Sequence, residues 1–194
     1  MQVNKATYNL QTKNIDNFVQ KKAQQPTSVQ NLVMQIGQKT ILPDKTRNYS
    51  IFNTELVNKL VSEKETALPY IENFLKTAND EKQITEGLYV LDRMIDNKVK
   101  GTENLFPVIS RFNDTQSPNV QVMLSGIYRK TKPPEAFGPL TKMMLKQTFS
   151  PNSPFFDPTE EIGGAILEYL KAQNAQNTYS NQSETNMLKI VSHA

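Results

Sequence analysis

The 194-residue sequence contains no cysteine. That excludes disulfides, thiolate zinc sites and thiol nucleophiles. There is no tryptophan and a single histidine, His193. It stands beside the last residue of the sequence and is expected to be too loosely held to act as a positioned base. The usual Ser/His and His-ligand mechanisms therefore fail on inventory. Only seven glycines are present, and none falls in a Walker or dinucleotide-binding fingerprint. No run approaches the roughly 18 apolar residues of a membrane span. The first residues lack the apolar core of a secretory signal. A cytoplasmic location and no membrane contact are expected. The net charge of +3 is too small to imply nucleic acid by itself.

What the sequence does have is a supply of Lys, Leu, Glu and Gln, straight side chains that lose little rotamer freedom in a helix. Charge is unevenly spread. Residues 1–53 hold seven cations against Asp16 and Asp44, a net +5, so the remainder carries −2. Fourteen of residues 1–50 are Asn or Gln. Such a segment buries too little apolar surface to offset its ordering entropy. Residues 1–50 are thus expected to be a mostly disordered, flexible basic arm. Within it, Val29, Leu32, Val33 and Ile36 follow the helical i, i+3, i+4, i+7 pattern, and a short helix over 28–37 is expected. It would dock on the body or bind a partner. Ile15 with Phe18 and Val19 is a fainter echo.

From Thr54 the periodicity is sustained. Leu56, Val57, Leu60 and Val61 mark one helix, with Thr54 as its cap. Leu68, Ile71, Phe74 and Leu75 mark a second after Pro69, and a single kinked helix is an alternative. Asn79-Asp80 caps a helix with the stripe Ile84, Leu88, Leu91, Met94 and Ile95, broken at Gly101-Thr102. Leu105, Val108, Ile109 and Phe112 follow. Ser117-Pro118 opens the helix of Val120, Leu124, Ile127 and Tyr128, stopped by Pro133-Pro134. Phe137, Leu140, Met144 and Leu145 form the next. Residues 150–158 read as a proline-rich loop. Pro158 to Ala172 is helical, with Ile162, Ile166, Tyr169 and Leu170 inward. Residues 173–183 read as a polar linker, and a short helix over Glu184 to Val191 follows. The absence of alternating strand patterns makes the fold all-α.

The helices recur. Ile84-Leu88-Leu91 aligns with Val120-Leu124-Ile127 at an offset of 36, and with Ile162-Ile166-Tyr169 after 42 more. Pro69 aligns with Pro107 at 38 and with Pro139 at a further 32. A two-helix unit of about forty residues is the period of armadillo and HEAT repeats. The segment Ser117 to Leu145, SPNVQVMLSGIYRKTKPPEAFGPLTKMML, resembles a HEAT repeat. The resemblance implies a short right-handed stack of antiparallel helix pairs, an α-solenoid, over residues 51–172. Glycines 87, 126, 163 and 164 inside helices would then mark close helix–helix approach.

Candidate chemistry is sparse. Asp92 with Asp96 lies at i, i+4, but two carboxylates are too few for calcium. Glu160-Glu161 suits a first helical turn. No catalytic, metal or cofactor-binding residue is expected, and no cofactor. The strongest polar cluster is basic: Arg129, Lys130 and Lys132 at one helix end, with Lys142 and Lys146 on the next. It is the candidate binding surface. The expected function is a non-catalytic protein–protein scaffold whose partner is another protein. A nucleic-acid binder using the basic patch is the alternative. HEAT-like units also occur in bilin lyases and some DNA glycosylases, so an enzyme or enzyme accessory is a third reading, although no active-site motif of either is present.

Overall fold

A computed structural model describes residues 28–38, 52–146 and 158–191, with side chains of the last helix described to Asn174. The expectations for residues 1–27, the loop at 150–157, the side chains of Glu184 to Val191 and His193 lie outside the described residues. The fold is all-α, with no strand among the described residues. The helices are α1 (Ser28–Val33), α2 (Thr54–Ser62), α3 (Leu68–Thr77), α4 (Glu81–Asp96), α5 (Phe106–Ile109), α6 (Pro118–Thr131), α7 (Phe137–Leu145) and α8 (Pro158–Val191).

Side-chain caps start the helices where the sequence supplies them. Asp80 Oδ1 accepts from the amides of Lys82 and Gln83, both at 3.1 Å, at the start of α4. Ser117 Oγ accepts from Val120 N at 3.3 Å, and Pro118 occupies the first turn of α6. The cap of α2 is Asn53, not Thr54: its Oδ1 accepts from Leu56 N at 3.3 Å.

Left-handed residues close three of the helices. Lys64, Lys98 and Lys132 all adopt positive φ, at 50°, 56° and 49°. They stand 34 residues apart, just beyond α2, α4 and α6. At Lys98 the pattern is a Schellman closure. Lys98 N donates to Ile95 O at 2.9 Å, Val99 N to Met94 O at 3.0 Å, and Met94 and Val99 are both buried. The helix therefore ends ahead of Gly101, where the sequence pattern put the break. A short 3₁₀ turn begins at Lys64 and follows Lys98 and Lys132, and each leads into a proline-bearing helix, α3, α5 or α7.

The helices preceding these lysines pack side by side: α2 against α4, α4 against α6, and α6 against α8. Helix α3 packs on α4 and α5, α7 on α8, and α1 on α2 and α3. One core runs through them, including Leu60, Ile71, Leu88, Leu91, Met94, Leu124, Ile127, Leu140 and Ile162, each at most 2 % exposed. Arg111 ties α3 to the turn after α5. Its guanidinium donates to the carbonyl of Leu75 at 3.2 Å and to that of Lys76, so it caps the end of α3.

Close approach accounts for one helical glycine clearly. A Cβ on Gly87 would lie 2.9 Å from Leu75 Cδ2 and 3.1 Å from Phe74 Cε1. At Gly126 and Gly163 the nearest atoms stand at an ordinary 3.8 Å, and at Gly164 the close neighbour is the guanidinium of Arg129, at 3.3 Å.

Two differences concern α8. Ile162 and Tyr169 are buried and Ile166 packs half-buried against the core, as expected, but Ala165 is buried with them and Leu170 is 42 % exposed. A stripe at i, i+3, i+7 leaves Leu170 turned away from α6 and α7. The backbone also stays helical through 173–183, where a linker was expected. That stretch has no proline or glycine, and extending an existing helix costs far less than nucleating one.

Candidate functional site

Four of the five cations of the expected surface are distributed over several carboxylates. Lys130 Nζ lies 2.7 Å from Asp92 Oδ1, 2.8 Å from Asp92 Oδ2 and 2.8 Å from Asp96 Oδ1. Arg129 reaches Glu161 of α8 at 3.4 Å. Lys142 of α7 and Lys146, just past its end, share Asp114, at 2.6 and 3.5 Å. Lys132 makes no ion pair among the described residues and contributes only a longer-range positive field at Glu168. The structure thus brings Arg129 and Lys130 together with α4 and α8, and holds Lys142 and Lys146 on a separate carboxylate.

The Asp92–Asp96 pair, weighed as a cation clamp, instead holds the Lys130 ammonium. Burial raises the Asp92 carboxyl above its ordinary value, and the bond from Lys130 only partly offsets this. Burial pulls Lys130 down, but its bonds to Asp92 and Asp96 outweigh that and raise it. Both shifts follow from one ammonium seated between two carboxylates in a half-dry seam. Asp114 is exposed, and Lys142 holds it below the usual carboxylate range.

Around Arg129 and Lys130 runs a groove of about 490 Å³. Val122, Met123 and Gly126 of α6 contribute its apolar part; Asp92, Glu161 and Glu168 add three carboxylates to the two cations. Glycine at 126 keeps this surface low. The groove alternates in sign and offers no field of one charge.

A second groove, of about 510 Å³, was not legible in the sequence. It lies where α2 and α4 end and is lined by Lys64, Arg93, Lys98 and Lys100, with Glu65 as its one carboxylate. Arg93 pairs with Asp96 at 2.9 Å, and Lys100 N donates to Glu65 at 3.3 Å. Glu65's carboxyl lies below its usual range, chiefly because backbone amides donate to it. Lys64, Lys98 and Lys100 make no ion pair among the described residues. The missed signal was the recurrence of lysine at helix ends. There, cations favour the negative end of the helix dipole.

Between α6 and the turn after α5, the Tyr128 hydroxyl donates to Asn113 Oδ1 at 2.8 Å, and burial pushes its pKa up to about 12. Tyr169 donates to the Pro133 carbonyl at 2.6 Å, and burial raises it as well. Both phenols are locked as donors holding loops to helices. No group of three or more metal-ligating side chains occurs among the described residues. No helix among them is long and apolar enough to cross a membrane. No protein-family model, curated protein or solved structure matches this chain.

Proposed function

We propose that this protein is a non-catalytic interaction scaffold built on a short right-handed HEAT-like stack of antiparallel helix pairs. In this reading it binds another protein across α4, α6 and α8. The repeat reading is supported by the serial packing of α2, α4, α6 and α8. It is also supported by the 34-residue recurrence of a left-handed lysine, a 3₁₀ turn and a proline-bearing helix. Successive units of that kind expose an extended surface.

The single observation that carries the partner class is the charge alternation of the 490 Å³ groove. Its cations are answered by carboxylates of neighbouring helices, with Val122 and Met123 between them. A polyphosphate would meet three carboxylates against two cations there. A polypeptide, with apolar and both kinds of charged side chains, fits better.

The test is affinity capture from extract of the source cell with the unaltered chain and with Gly126→Trp. A Cβ at Gly126 meets only the end of the Glu161 side chain, at an ordinary 3.8 Å, so the variant should keep its helicity while its indole fills the groove. The reading expects a protein retained by the unaltered chain and lost by the variant. Identical captures, or none, would overturn it.

One observation favours a second reading, nucleic-acid or other polyanion binding. It is the groove of Lys64, Arg93, Lys98 and Lys100. Binding of mixed oligonucleotides that weakens steeply with salt, and that Lys98→Glu with Lys100→Glu abolishes, would establish it.

A further inference from the structure

The segment of residues 28–38 is joined to the body by an unusual contact. Glu86 of α4 is 4 % exposed, and its carboxylate accepts two backbone hydrogen bonds from sequence-distant places. Gly37 N donates to Oε2 at 2.5 Å, and Asn53 N, at the start of α2, donates to Oε1 at 3.0 Å. A buried carboxylate is tolerated only when such donors answer it. Gly37 itself has φ +75°, and a Cβ there would meet Gln83 Cγ at 2.6 Å and Gln83 Cα at 2.9 Å. Only glycine brings its amide this near to α4.

Three apolar side chains of the segment enter the body: Val29, Val33 and Ile36 at 5 %, 4 % and 0 % exposure. They sit at i, i+4 and i+7, on the surface that α2 and α3 present. The helix itself spans only six residues, far below the length that stands alone in water. Its helicity is therefore borrowed from the surface it covers. Residues 28–38 contain no charged side chain, so Glu86 is the only charge involved in the latch that its amides complete. On the adjoining α2, Glu55 and Lys59 pair with each other at 2.7 Å.

We infer that residues 28–38 are a releasable strap seated in a helix-docking groove of α2, α3 and α4. The ligand the groove takes is a short amphipathic helix with apolar residues at the spacing of Val29, Val33 and Ile36, ended by a left-handed glycine. The glycine amide is read by Glu86. The occupant is the chain's own strap, held in cis. The strap uses none of the residues lining the α4–α6–α8 groove, so this inference stands independently of the function proposed above.

The experiment uses the full chain with Val33→Asp and Ile36→Asp, which removes the strap's anchors and leaves Glu86 and the groove intact. The probe is a fluorescent peptide of residues 27–38. The expected result is saturable peptide binding to the variant, competed by unlabelled peptide, with little binding to the unaltered chain. In the unaltered background, Glu86→Gln should speed hydrogen exchange of the Gly37 and Asn53 amides by about ten- to a hundred-fold while α6 and α7 keep their protection. If the anchor variant loses its helicity, the segment is an inseparable part of the core and the inference fails. It fails equally if the folded variant ignores the peptide, or if Glu86→Gln accelerates exchange everywhere together.

Discussion

Lys130 of α6 and Asp92 of α4 meet at 2.7 Å across the seam between neighbouring helices. Asp92's side chain is 16 % exposed there and Lys130's is 36 %. Removing the lysine strands a half-dry carboxylate, whereas removing the exposed Lys142 leaves Asp114 in water. Lys130→Met should cost about 1–3 kcal/mol in urea unfolding. Lys142→Met should leave the unfolding midpoint nearly unchanged, because its pair with Asp114 is solvated and screened. Equal effects would show that the seam is as wet as the surface.

Two helical glycines should respond oppositely to one added methyl. Gly126→Ala should stabilise the protein by about 0.5–1 kcal/mol, because it lowers backbone entropy and meets only an ordinary contact. Gly87→Ala should cost about 1–3 kcal/mol through overpacking on Leu75 and Phe74. Thermal melts of the two variants against the unaltered chain decide it.

Lys98 closes α4 from a left-handed conformation that costs an L-residue about 1–2 kcal/mol. Glycine adopts it freely but loses about 0.5–1 kcal/mol of chain entropy on folding. Lys98→Gly should therefore gain up to about 1 kcal/mol, and Lys98→Ala should gain nothing. Chemical denaturation of both variants checks the difference.

Tyr128 gives stability an alkaline limit. Its pKa rises from an ordinary 10 to about 12 in the fold, so the folded protein keeps a proton that the unfolded chain releases. The resulting stabilisation is complete below pH 10 and is lost as pH rises toward 12. Tyr128→Phe should flatten that part of the stability profile, and it should cost about 0.5–1.5 kcal/mol at neutral pH for the lost bond to Asn113. An unchanged alkaline profile would show that this phenol is not the group responsible.

The sequence by itself determined the helices and much of the core, because both are local properties. The stripe Leu88, Leu91 and Met94, the cap of Asp80 and the opening Ser117-Pro118 depend on neighbours a few residues away, and all appear in the structure as read. The strap's apolar residues were visible for the same reason. Tertiary structure decided what depends on how helices turn toward one another. Periodicity shows that Lys130 and Asp92 are polar positions, but only the rotation and docking of α6 on α4 make them partners. That docking seats Lys130 between Asp92 and Asp96, the packing of α8 brings Glu161 to Arg129, and Asp114 takes Lys142 and Lys146, so the expected basic cluster does not form one positive field. Glu86 had no signal in sequence at all. It occupies a polar slot of an amphipathic helix, and its burial follows from two backbone amides, 49 and 33 residues away, that only the folded chain delivers to it.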